Sequence, residues 1–167
     1  MTTAAGLATA FFATLERGLR HLGGLLLAAL LVPVAIQVFA RLVPSVQAPL
    51  WTEEAARYLL VWTIMAGSLL AVRRGSHFCV DLLPQLPPAG ERALVRVAAA
   101  VTGAFGLFCL AYGIDFVAYG WEQTSEVSDW PMWIVFSAWP VAGAAWALFS
   151  LEALVTGRQP RAAEAGV

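Results

Sequence analysis

Apolar residues in this chain run in long unbroken stretches between charges: residues 22–40 between Arg20 and Arg41, 58–72 after Arg57, 97–114 between Arg96 and Asp115, and 130–151 between Asp129 and Glu152. A hydrocarbon core about 30 Å thick is crossed by about 20 apolar residues in helical form. The pattern therefore predicts an all-α integral membrane protein with four transmembrane helices, at about 21–42, 54–73, 93–115 and 130–152. The second reaches spanning length only if its helix starts near Ala55, among Glu53, Glu54 and Arg57. The apolar positions do not alternate with polar ones, as a membrane barrel would require.

Outside the spans the chain divides into a segment 1–20 and a tail 156–167 that reads as disordered. Leu7, Phe11, Leu15 and Leu19 recur every fourth residue with Glu16, Arg17 and Arg20 beside them. That spacing suits an interfacial helix leading into the first span, or else a frayed tail. The first 15 residues hold no Lys or Arg, so a cleaved signal peptide is not expected. Pro33 predicts a bend in the first span, and Arg41 either contacts Gln37 or snorkels. Pro88 suits the first turn of a third helix that meets no breaker until about Trp121. The fourth span is expected to start with Asp129 as N-cap and Pro131 in its first turn, and to bend at Trp139-Pro140.

Composition agrees about the solvent. A chain of 167 residues with 60 % hydrophobic and 13 % charged residues lacks the polar surface of a water-soluble domain. Charge adds the orientation. There is no lysine, and of the ten arginines Arg17, Arg20, Arg73, Arg74, Arg92, Arg96, Arg158 and Arg161 fall on one side of the four spans. Only Arg41 and Arg57 fall on the other, whose longest loop carries Asp115, Glu122, Glu126 and Asp129. Positive charge is retained inside, so both termini are expected in the cytoplasm. Trp51, Trp121, Trp130 and Trp133 form an aromatic belt at the outer boundary.

The chemistry that could make this chain an enzyme is missing. His21 and His77 lie at helix ends or loops, where they could not hold a haem inside a span. Cys79 and Cys109 are placed too far apart for one disulfide, and neither belongs to a metal-binding spacing. No cofactor, metal or nucleic-acid site is expected. A solute path of its own would need polar or ionisable groups at mid-membrane, and the centres of the spans are almost bare of them. Small residues at fourth positions (Thr63, Gly67, Ala71; Ala98, Thr102, Gly106; Gly143, Ala147) allow close helix approach, within the chain or against a partner.

Two motifs stand out. In WTEEAARYLLVW, Arg57 lies four residues from Glu53 and three from Glu54 and can pair with either. The charges serve as a neutralised interfacial turn, or one of them reaches another subunit. The second motif, RRGSHFCVDLLPQLP, carries Arg73, Gly75, His77 and Asp81. Together, Trp51, Glu53, Glu54, Arg57, Tyr58, Trp62, Gly67, Arg73, Gly75, His77, Asp81, Leu82, Leu83, Leu86 and Pro87 resemble the small membrane subunit of tripartite ATP-independent periplasmic (TRAP) transporters, the DctQ-like family. Pro131, Pro140 and Gly143 add weaker matches. The resemblance spans about residues 15–155.

That resemblance implies a non-catalytic scaffold in the bacterial inner membrane. Its partner would be a large subunit of about a dozen spans that moves organic acids such as C4-dicarboxylates by a sodium-driven elevator motion. A periplasmic substrate-binding protein would deliver the solute. The motif residues are then candidates for structural or partner-contact roles. His77 and Asp81 could bond one another, touch the large subunit or, for His77, relay a proton. The acidic outer loop departs from the neutral stretch expected in the family and either docks a basic patch of the binding protein or is merely solvated. Two other readings are an autonomous small homodimeric transporter and a membrane anchor for a redox enzyme.

Overall fold

The computed structural model describes residues 2–43, 47–74 and 87–156. Helix α1, Thr2–Leu42, is followed by α2, Trp51–Arg74, α3, Pro88–Trp121, a single turn α4, Trp133–Phe136, and α5, Ala138–Thr156. Among the described residues there is no strand, and four helical stretches are long and apolar enough to cross a membrane: Ala13–Leu42, Trp51–Arg73, Arg92–Trp121 and Trp133–Val155. The tail beyond Thr156 and the loop bearing Gly75, His77, Cys79 and Asp81 lie outside the described residues.

α1 runs unbroken from Thr2 through the first span, with Pro33 inside it. Its 41 residues give a rod about 60 Å long at 1.5 Å per residue, about twice the hydrocarbon thickness. Leu15 and Leu19 pack against the core of the bundle, while the side chains of Leu7 and Phe11 lie outside the described set. α3 starts with Pro88 at its first position and ends at Trp121.

The fourth span departs from expectation in two ways. Asp129 is not an N-cap: it sits in the loop with φ of 54°, and Met132 precedes the first helical turn. The interruption comes at Ser137, before the bend expected at Trp139-Pro140. Pro140 has no N–H to bond the Phe136 carbonyl four residues earlier, so the turn that contains Phe136 closes as a separate element.

The helices form two antiparallel hairpins, α1 with α2 and α3 with α4–α5, joined where α2 packs on α5. Met65 and Leu69 of α2, Cys109 of α3 and Ala138, Ala142, Trp146 and Phe149 of α5 make the core. The α3–α5 seam is set by glycines. A Cβ built on Gly106 would lie 2.8 Å from the Gly143 carbonyl oxygen, and one on Gly143 would lie 2.6 Å from the Gly106 carbonyl oxygen. Only hydrogen fits at either position, so the backbones touch and gain dispersion contacts that lipid cannot replace. Gly67, by contrast, is exposed, with nothing within 4 Å of its Cβ position.

Candidate partner-contact surfaces at the two ends of the bundle

At the Trp51 end, the chain enters α2 through Thr52, whose hydroxyl and backbone N–H both donate to the Pro49 carbonyl, at 2.7 and 3.1 Å. Burial of Thr52 to 1 % exposure fixes the rotation of the first turn. Glu53 and Glu54, one residue apart, are about 100° apart around the axis and meet different surroundings. Glu53 points outward and pairs with Arg57 at 3.5 Å, both side chains well exposed. Glu54 is buried at 4 % exposure, and its Oε1 accepts the Val127 N–H at 3.3 Å. Of the two pairings open to Arg57, the structure forms the one with Glu53.

The next turn ties α2 to the loop between α3 and α4. The Tyr58 hydroxyl donates toward the carbonyls of Trp130 and Pro131, at 3.4 and 3.3 Å, and its ring meets Trp130 edge-on at 5.7 Å. One turn further, the Trp62 indole N–H donates to the Ile134 carbonyl at 3.1 Å. These bonds give a second donor to carbonyls that already accept the Ser125 N–H, the Ile134 N–H and the Ser137 hydroxyl, and so fasten α2 to the loop and to α4. The loop is itself folded back: Ser125 N–H bonds the Trp130 carbonyl at 2.8 Å and Met132 N–H the Gln123 carbonyl at 3.0 Å. Glu122, Glu126 and Asp129 remain exposed upon it. Trp121 and Trp133 stack at 5.3 Å beside it.

At the opposite end, Arg73 is the penultimate residue of α2, within the helix and not in the loop. Its guanidinium pairs with Glu152 of α5, and it lies 5.6 Å from the centre of the Phe149 ring. Side-chain exposures of 7 % and 16 % make this a buried ion pair that locks the α2–α5 contact where the two hairpins join.

Of the candidates named from sequence, the structure thus brings Glu54, Tyr58 and Trp62 onto the α3–α4 loop and α4, and Arg73 onto α5. Trp51, Glu53, Arg57 and Gly67 are left with exposed faces. Gly75, His77 and Asp81 fall outside the described residues. Glu152 was not among the candidates. Its position at the end of an antiparallel span, level with Arg73, was the available signal. Val127 offers only a backbone N–H, which no side-chain pattern could reveal. Among the described residues, neither end shows a catalytic arrangement and no group of three or more His, Cys, Asp or Glu could hold a metal ion.

Two curated relatives are similar to about half of this chain. The C4-dicarboxylate TRAP transporter small permease protein DctQ of Rhodobacter capsulatus is 30 % identical over 94 residues, covering 54 % of this chain and 41 % of the relative. The protein of the same name from Vibrio cholerae is 28 % identical over 90 residues, covering 54 % of this chain and 34 % of the relative. The chain thus matches less than half the length of either relative. A family described as "Tripartite ATP-independent periplasmic transporters, DctQ component" matches residues 30–159, which take in the last part of α1 and all of α2 to α5. A four-span bundle with polar ties at its two ends, matched over more than three quarters of its length, belongs to the DctQ family of TRAP transporter components.

Proposed function

We propose that this chain is the small, non-catalytic membrane subunit of a TRAP transporter and acts as a scaffold for the large subunit that moves the solute. The observation that carries the reading is the DctQ match over residues 30–159, which takes in the whole packed unit from α2 to α5. The character of the interior supports it. The described core is Met, Leu, Cys, Ala, Trp and Phe, packed together and with no Asp, Glu, His, Lys or Arg among them, so it offers a solute no charged path. What the chain contributes then comes through its flanks. α1 is well suited to this, since few residues of its span Ala13–Leu42 are buried within the chain.

In this reading the arginine-rich side with both termini faces the cytoplasm of a bacterial inner membrane. The folded-back acidic loop 122–132 faces the periplasm, where it is within reach of a solute-binding protein. The relatives carry C4-dicarboxylate in their names, and an organic acid driven by sodium is the corresponding cargo of the complex. A neighbouring gene for a protein of about a dozen spans and another for a secreted binding protein are expected.

The experiment is reconstitution. Vesicles with this chain, the large subunit and the binding protein should accumulate a C4-dicarboxylate under an inward sodium gradient, and vesicles lacking any one of them should not. Uptake by this chain alone would overturn the scaffold reading in favour of an autonomous transporter. Arg57→Ala should lower recovery of the complex more than Arg41→Ala, and equal recovery would remove Arg57 from the contact surface.

A further inference from the structure

Asp115 occupies an unusual place. In sequence it looks like the end of the third span, but α3 continues six residues beyond it to Trp121, about 9 Å of helix. Its depth follows from the α3–α5 seam, where Gly103 meets Ser150, Gly106 meets Gly143, Gly113 meets Pro140 and Gly120 meets Phe136. On that register Glu152 is level with about residue 101 of α3, so Asp115 lies about 21 Å above the Arg73–Glu152 pair. The ion pair and the stacked Trp121 and Trp133 are then about 30 Å apart, the thickness of a hydrocarbon core. Asp115 falls inside that interval, in the third nearest the Trp51 end.

The side chain is exposed and makes no hydrogen bond or ion pair within the described chain. A carboxylate this short does not reach the interface by snorkelling, as a lysine or arginine could. It belongs to one stripe of α3. Val101, Phe105, Phe108, Tyr112, Asp115 and Tyr119 follow at alternating steps of four and three, and all are exposed. That is the spacing of a helix–helix seam. The stripe runs along the edge of the α5 contact, where the Phe105 ring meets Trp146 at 5.5 Å while keeping an exposed face, and beyond that point its aromatic rings present an apolar strip with one carboxylate in it.

We propose that this stripe of α3 receives a transmembrane helix of a partner chain that carries an arginine or lysine at the depth of Asp115. An intramembrane charge is tolerated when it is paired, and the pairing fixes the height and rotation of the incoming helix. A second copy of this chain fits less well: Arg41 lies in the last turn of α1, and Arg57 stands with Tyr58 at the level of Trp130 and Pro131, nearer the membrane surface than Asp115. The inference rests on the scaffold reading above, in which the partner is the large membrane subunit.

The test uses the affinity-tagged chain purified in mild detergent with the large subunit from co-producing cells. Asp115→Leu should lower the large subunit recovered by about tenfold or more at equal amounts of tagged chain, and Asp115→Asn by less, because an amide still bonds a cation. In the otherwise wild-type chain, Tyr112→p-benzoylphenylalanine should on irradiation give an adduct with the large subunit, in a segment that contains Arg or Lys. Undiminished recovery with Asp115→Leu, or adducts formed only with lipid or with a second copy, would overturn the assignment while leaving the scaffold reading intact. Failure of the wild-type chain to retain any large subunit would overturn both.

Discussion

Replacing Gly143 by alanine tests how the two halves of the α3–α5 hairpin are held. The new Cβ would stand 2.6 Å from the Gly106 carbonyl oxygen, 2.7 Å from the Leu110 nitrogen and 3.1 Å from the Cys109 carbonyl carbon. All three are backbone atoms of a helix and have no rotamer by which to yield. Ordinary contact begins near 3.4 Å, so the helices must part by about 0.8 Å at the crossing. A gap of that size forfeits about a quarter to a half of each dispersion contact across the seam. Overpacking of this kind costs about 1–3 kcal/mol, or about a 5- to 150-fold shift in the unfolding equilibrium. Gly67→Ala is the matched comparison, because nothing lies within 4 Å of its Cβ position. Steric trapping in bicelles, or thermal melting in one detergent, should show Gly143→Ala destabilised and Gly67→Ala unchanged. Equal stability of Gly143→Ala and wild type, or loss confined to Gly67→Ala, would refute the glycine-set crossing.

Glu54→Ala should cost about 1.5–3 kcal/mol by freeing the Val127 N–H, and that amide should exchange faster in hydrogen–deuterium measurements. Glu53→Ala breaks only an exposed pair and should change stability by less than about 0.5 kcal/mol in the same melts. Arg73→Ala and Glu152→Ala should each destabilise by about 3–5 kcal/mol, and the double variant by less than their sum, which a double-mutant cycle reads directly. Cys109 is buried at 6 % exposure and should stay unreactive toward a water-soluble maleimide in intact membranes. Labelling should then report Cys79 alone and occur only from the cytoplasmic side, and labelling from outside would invert the topology.

The residue pattern by itself determined the solvent, the number of spans and the sidedness expected of them, because each depends on sums along the chain. The free energy of placing a segment in lipid adds up over about twenty consecutive residues, whatever they later pack against. Helix ends with local signals were legible in the same way, as at Pro88 and Trp121. At the start of the fourth span, an acid followed two residues later by a proline satisfies the local rule for a cap, while the φ of 54° at Asp129 belongs to a loop that Tyr58 bonds directly and that leads into α4, which Trp62 bonds. Azimuth and depth were decided only by tertiary packing. Glu53 and Glu54 are equivalent in composition, yet a rotation of about 100° puts one in solvent and the other on Val127. Gly67 and Gly143 look alike in their spans, but only the second meets another backbone. Arg73 and Glu152 acquired their roles when four rods found one register, since a buried charge is defined by what stands opposite it.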